Sequence, residues 1–323
     1  MSVASASVRA VVEAGGEPAR RLMIALEQRL EELATGHGVT LGRHAGDTIA
    51  AGGKRLRPLL VFLSAGAPPP ETEGLLGAAV AVELVHSATL VHDDVLDGSP
   101  LRRGRPTVVA AGGRLAATAT GDLLFSRAFA ELVRSRSPAS VRSLSQASSE
   151  LAAGELMQRA DSWKVVSTER YLERCRLKTA VLFRAACELG ALQGGGESET
   201  LGAFGERIGL AFQLLDDVLD VIGPPERTGK PQGADLLDGT VTLPMILARE
   251  RDPELRALDL RSIVSTAQAA TVCARIADTG APEVVRGRAL ALIGGAKELL
   301  ATLSERQRWA LELVADGVVE RYV

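Results

Sequence analysis

The sequence predicts an all-α fold, a single-domain helical bundle. Three observations carry that expectation. Apolar residues recur at three- and four-residue spacings in block after block. Runs of alternating β-branched residues bounded by turns are missing, and helix breakers separate the blocks. The first clear block sets Leu22, Ala25, Leu26, Leu30 and Leu33 on one helical face, and residues 1–18 before it read as an irregular start. The same periodicity runs over 75–97, 114–134, 141–159, 168–192, 200–221 and 243–250, then in the tail over 262–278, 282–303 and 305–321. Between the blocks lie Ala67-Pro68-Pro69-Pro70, Gly98-Ser99-Pro100, Gly194-Gly195-Gly196 and Gly223-Pro224-Pro225. None of these is long enough for a flexible interdomain linker. Residues 19–323 therefore read as one helical domain, although 323 residues would suggest two by length alone.

A hydrophobic content of 46% is ample for a sizeable core, which excludes a disordered or disulfide-stapled chain. The net charge of −3 leaves no basic footprint for nucleic acid, and an aromatic content of 3% leaves few base-stacking platforms. Cys175, Cys187 and Cys273 are odd in number and contain no Cys-x-x-Cys, so they point to a reducing compartment rather than secretion or a zinc site. No uncharged apolar run approaches the length of a membrane span, since Glu83 interrupts the stretch from Leu75 to Val85. The N-terminus also lacks the basic start and apolar core of a signal peptide. The expectation is a cytoplasmic protein without a membrane span.

Six of the fifteen aspartates lie in two clusters, His92-Asp93-Asp94-Val95-Leu96-Asp97 and Gln213-Leu214-Leu215-Asp216-Asp217-Val218-Leu219-Asp220. In each, the first and last aspartates are four apart and share a helix face, with the middle one beside them. Gly98 with Pro100, and Gly223 with Pro224, place both clusters at helix C-termini. There the like charges repel and the macrodipole opposes them, by a few tenths to ~1 kcal/mol each. One such cluster would as readily be a solvated acidic helix end. The repeated spacing instead calls for a compensating cation, and an all-oxygen donor set favours a hard ion such as Mg²⁺. Two clusters facing one another would clamp several ions around a polyphosphate.

Basic turns accompany the first cluster: Gly52-Gly53-Lys54-Arg55-Leu56-Arg57-Pro58 upstream, and Leu101-Arg102-Arg103-Gly104-Arg105-Pro106-Thr107 just after it. Guanidinium groups bind diphosphate bidentately and an ammonium adds a point charge. Beside carboxylates that need a metal, these turns complete a diphosphate site.

Taken in order, the motifs resemble the trans-polyprenyl diphosphate synthase family, which joins isoprenyl units head to tail. The resemblance rests on Gly53-Lys54-Arg55-Leu56-Arg57-Pro58, His86, Asp93–Asp97 with Arg102-Arg103-Gly104, and Gly121-Asp122. It continues through Gly154-Glu155, Lys178-Thr179, Phe212-Gln213 with Asp216–Asp220, and Gly229-Lys230 leading to Gly233-x-Asp235, over about residues 43–244. It implies a bundle of the isoprenoid synthase type with a central cavity between helices, and it implies roles. Asp93, Asp94, Asp97, Asp216 and Asp217 would hold Mg²⁺ against the allylic diphosphate, with Asp220 as outer support. Arg102, Lys178, Thr179, Gln213 and Lys230 would contact the allylic substrate or its diphosphate. Lys54, Arg57, His86 and Arg103 would hold isopentenyl diphosphate. One departure is Thr240, where the family often has Lys ahead of the Thr242-Leu243-Pro244 segment.

The implied reaction needs no general-base histidine or nucleophilic serine. Mg²⁺ and cationic side chains stabilise the leaving diphosphate, an allylic cation forms, and the isopentenyl double bond attacks it. A proton then passes to the departing diphosphate. Asp93, Asp94, Lys178 and Lys230 would carry the catalysis. One turn before Asp93 stand Ala88 and Thr89, both small where short-chain members of the family carry an aromatic residue. Phe125 and Phe129 are candidate floors further along. A medium-to-long all-trans product is expected, with geranylgeranyl diphosphate as the alternative. A terpene cyclase would usually replace the second cluster, and a non-catalytic subunit would generally lack the aspartates. The family also implies a homodimer.

Overall fold

The block carrying Leu22, Leu26 and Leu30 does form a helix, and it begins well before its apolar stripe. In the computed structural model, which describes residues 6–35, 38–66, 72–102, 104–224 and 231–320, helix α1 spans Ala6–Thr35. The start expected to be irregular is thus helical from Ala6 onward. Gly16 (φ 69°) breaks the run, and Pro18 opens the next stretch, where its missing N–H costs no hydrogen bond. Val11, Ala14 and Ala19 are buried, so tertiary packing holds a segment whose small residues gave no clear stripe.

The remaining helices are α2 (Val39–Ala50), α3 (Leu56–Ser64), α4 (Glu73–Asp97), α5 (Val108–Val133), α6 (Pro138–Ala160), α7 (Thr168–Cys175), α8 (Val181–Gly194) and α9 (Ser198–Ile222). They continue with α10 (Ala234–Leu237), α11 (Leu243–Arg251), α12 (Pro253–Ala257), α13 (Thr266–Asp278), α14 (Ala281–Glu298) and α15 (Glu305–Glu320). The fold is all-α. Among the described residues, the only strands are a two-residue antiparallel pair, β1 (Leu101–Arg102) and β2 (Arg105–Pro106). Where one helix was expected over 168–192, a π-turn at Arg176–Ala180 separates α7 from α8.

The chain divides into two compact units, each built from several stretches of sequence. The first comprises Met1–Ser148, Leu182–Ala203 and Leu300–Val314; the second comprises Ser149–Val181, Phe204–Leu299 and Ala315–Val323. At the centre of the first unit, α4 packs against α3 and α5, with α1 and α2 also in contact. An 18-residue window of α4 reaches a mean hydropathy of 1.7, enough by length and composition to cross a membrane, contrary to the expectation from Glu83. Yet 72% of that window is buried, with Leu75, Val80, Leu84 and Val85 fully enclosed, as in the core helix of a globular unit. In the second unit, α11 packs on α7, α13 and α14.

Candidate active site

In the first unit, α4 ends at Asp97 because Gly98 adopts a left-handed conformation (φ 63°) that a side chain would strain. The Ser99 N–H then bonds back to the Asp94 carbonyl. The β1–β2 hairpin returns Arg102 to the helix end, where its Nε donates to Asp94 Oδ1 at 2.8 Å and its Nη2 lies equally close. Asp94 is 4% exposed, while Asp93 is half-buried and Asp97 exposed. Beside this pair lies a cavity of about 310 Å³, lined by His44, Asp47, Arg55, His86, Arg102 and Arg105 among others. His86, Asp94 and Arg102 all line this one cavity. Lys54 is exposed on the turn before α3, and the Arg57 guanidinium sits 4.5 Å over the Phe183 ring; neither is among the lining residues. Arg103 lies outside the described residues.

The pairing of α4 with α5 also accounts for Gly121-Asp122. A Cβ at Gly121 would collide with the His92 ring, which stacks on Phe125 with centroids 5.8 Å apart and lies 3.5 Å from Asp122. Ala88 is fully buried, and the half-buried Thr89 turns its hydroxyl back to the His86 carbonyl at 2.8 Å. Phe125 and Phe129 are half-buried along α5.

In the second unit, α9 carries the other motif. Asp217 is buried (2% exposed) and held from both sides: Tyr171 Oη donates to Oδ2, and Gln213 Nε2 donates to Oδ1 at 2.8 Å. Thr179 Oγ1 donates to Gln213 Oε1 at 2.8 Å, so a hydroxyl of the π-turn orients the amide that orients the carboxylate. Burial pushes Asp217 well above the usual carboxylate range, against the pull of these two donors, and the adjacent Asp216 adds to the rise. Burial and the Asp217 carboxylate likewise push the Tyr171 phenol up, which keeps it a donor. Asp216 and Asp220 are half-buried. Asp220 anchors the following turn, accepting the Asp235 N–H on Oδ2 at 3.3 Å and the Gly233 N–H on its carbonyl at 2.9 Å. Thr240 gives its backbone N–H to the Asp235 carbonyl at 2.8 Å.

Lys178, also in the π-turn, donates to Glu155 Oε2 at 2.5 Å. Gly154 makes this possible, because a Cβ there would lie 2.7 Å from the Lys178 backbone nitrogen. Burial raises Glu155, but the Lys178 ammonium and the Arg159 guanidinium outweigh it and hold the carboxyl below its usual value. Lys230 lies outside the described residues. The sequence reading missed Tyr171; its only signal there was a polar-tipped aromatic at an inward position of the 168–192 block.

The donor set suits a hard divalent ion: six aspartates and no sulfur, at helix ends that favour cations, with the one imidazole beside them, His92, stacked on Phe125 and near Asp122. Among the described residues, no three His, Cys, Asp or Glu side chains already converge on one point.

The profile of the Polyprenyl synthetase family matches residues 40–277, which reach into both units. The chain belongs to this family. Its relatives are named as trans-prenyl diphosphate synthases, and the enzyme is accordingly a prenyltransferase that condenses prenyl chains. A short chain isoprenyl diphosphate synthase of Methanothermobacter thermautotrophicus is 36% identical over 294 residues, 87% of this chain and 90% of that one. Heptaprenyl diphosphate synthase component 2 of Geobacillus stearothermophilus is 41% identical over 230 residues, covering 70% and 72%. The crystal structure of a polyprenyl synthase from Caulobacter crescentus, complexed with calcium and isoprenyl diphosphate, matches with a TM-score of 0.88 at 36% identity over 97% of this chain and 98% of that one.

Proposed function

We propose that the enzyme condenses isopentenyl diphosphate with an allylic prenyl diphosphate in a Mg²⁺-dependent reaction, giving an all-trans polyprenyl diphosphate of medium to long chain. The observation that carries the substrate class is the Asp94–Arg102 pair at the edge of a cavity that a further cationic group, Arg105, also lines. Asp93, Asp94, Asp97, Asp216 and Asp217 would hold the metal. Bound there, Mg²⁺ supplies neutralisation of the diphosphate charge. Arg102 and Lys178 add fixed positive charge where negative charge develops on the leaving group. His86, on the cavity wall, orients isopentenyl diphosphate together with Lys54 and Arg57. The absence of an aromatic side chain at Ala88 and Thr89 supports the longer product, with geranylgeranyl diphosphate as the shorter alternative.

The enzyme acts as a homodimer in the cytoplasm; its three cysteines are free and buried, as suits a reducing compartment. A second reading is favoured by the Geobacillus relative, whose name makes it one component of a synthase: this chain would then work with a second subunit. The deciding experiment incubates the purified chain with isopentenyl diphosphate, Mg²⁺ and geranyl, farnesyl or geranylgeranyl primers, and reads products by mass spectrometry. A ladder extending beyond geranylgeranyl supports the proposal. Termination at geranylgeranyl selects the shorter alternative, and absence of elongation by the chain alone favours the two-component reading. Light scattering on the same sample is expected to give about twice 33.9 kDa.

A further inference from the structure

Arg55 occupies a backbone shape that side chains rarely adopt. It sits in the middle of Gly53-Lys54-Arg55-Leu56-Arg57-Pro58 with φ 48° and ψ 35°, immediately before α3, and its side chain makes no cap to that helix. A left-handed residue of this size persists only where its surroundings over-determine it. Here they do. The side chain is 8% exposed and its fork reaches three helices at once. Nε donates to Glu27 Oε1 on α1 at 2.8 Å and Nη1 to Glu83 Oε1 on α4 at 2.6 Å. Nη2 donates to Glu27 Oε2 at 3.2 Å and to the Ile49 carbonyl in the last turn of α2 at 3.0 Å.

The partner on α4 is as unusual as the arginine. Glu83 is 5% exposed in the middle of α4, the long core helix of its unit, with Val82 and Leu84 beside it fully buried. A buried carboxylate is costly unless it is paired and hydrogen-bonded, and Arg55 supplies both. Glu83 also stands three residues before His86 on α4, so the two share a helix face, and both line the 310 Å³ cavity. One ion pair thus connects the turn that holds Lys54, and runs straight into the start of α3 at Arg57, to the helix that holds His86.

We infer that Arg55 and Glu83 are positioning residues for the isopentenyl substrate: their buried pair fixes the 52–55 turn and the start of α3 in the arrangement that presents Lys54 and Arg57, in register with His86. This rests on the reading of Lys54, Arg57 and His86 as the isopentenyl diphosphate site. Arg55 acts through the turn because its guanidinium is committed to protein acceptors. A lysine would retain the charge but not the fork that reaches Glu27, Glu83 and Ile49 together.

Steady-state kinetics on the full chain test this, with each substrate varied in turn and melting temperature measured alongside. Arg55→Lys and Glu83→Gln are each expected to raise KM for isopentenyl diphosphate roughly tenfold, with KM for the allylic primer and the saturating kcat within about twofold of the parent. Arg55→Gly makes the backbone conformation comfortable while deleting the fork, so the same selective rise there assigns the effect to the guanidinium. Glu83→Gln keeps shape and an acceptor, and it carries the test if the Arg55 variants do not fold. KM values that rise together for both substrates, or a lowered melting temperature with both KM values unchanged, would reduce the pair to a structural one and overturn the inference. Lys54→Ala separates the two levels. If it leaves KM for isopentenyl diphosphate unchanged, the site reading fails and takes the inference with it. If it raises that KM while Arg55 and Glu83 variants do not, the inference alone fails.

Discussion

The two aspartate motifs share one spacing and one position, the C-terminal turn of a long helix, yet their buried carboxylates are held by opposite means. Asp94 is matched by a cation of its own unit, Arg102. Asp217 is held by a phenol and an amide, neutral donors that orient it without cancelling its charge, and burial drives its carboxyl upward. The difference teaches that a repeated acidic motif need not be a repeated site. The first motif meets a cation at hydrogen-bond distance, whereas the bonds to Asp217 come from neutral donors and the Arg174 guanidinium acts on it only as a minor electrostatic pull.

Replacing either carboxylate would give the largest effect. Asp94→Asn and Asp217→Asn are each expected to lower kcat/KM by about 10²–10³, the scale for losing one preorganised group that stabilises transition-state charge. Their melting temperatures in chelator should move in opposite directions. Asp217→Asn removes a desolvated charge and should raise Tm near neutral pH, while Asp94→Asn strands Arg102 and should lower it. Shifts of the same sign would break the comparison.

Product length should respond on the first side alone. Thr89→Phe is expected to shorten the product by at least one isoprene unit, whereas Thr179→Val, which loosens Gln213 beside Asp217, should slow turnover and leave length unchanged; mass spectrometry reads both. Tyr171→Phe sharpens the contrast in stability, since deleting one of two neutral donors to a buried carboxylate should cost about 1–3 kcal/mol in denaturant titrations. The smallest effect belongs to the partly exposed Lys178–Glu155 pair. Because the Glu155 pKa is lowered in the folded protein, its contribution is full above the ordinary carboxylate range and is lost as pH falls through the lowered value. Glu155→Gln should therefore cost about 1 kcal/mol near neutral pH, and its melting curve should converge with the parent's in acid.

Much of this architecture is legible from local rules. The apolar period of α4 and α9, with glycine and proline just beyond, places each motif at a helix end, and the structure keeps it there. Gly154 and Gly121 stand out in the sequence as motif glycines, but their reason is contact across helices, with the Lys178 backbone and the His92 ring. What escaped sequence reading depends on partners far along the chain. Tyr171 meets Asp217 across 46 positions, and Arg55 meets Glu83 across 28. The helicity of residues 6–18 depends on burial of small side chains whose own spacing says little.

The π-turn at Arg176–Ala180 acts as a phase shifter between α7 and α8. A π-turn accommodates one residue more than regular α-helical geometry would, and each residue of an α-helix advances the azimuth by about 100°. Tyr171 and Thr179 flank that surplus residue, one bonded to Asp217 and the other to the amide that holds it. At the α-helical advance eight positions would set Tyr171 and Thr179 about 80° apart, whereas the residue absorbed in the π-turn brings them back to within about 20° of one face. Two hydroxyl-bearing residues eight positions apart thereby serve one carboxylate, Tyr171 directly and Thr179 through the Gln213 amide.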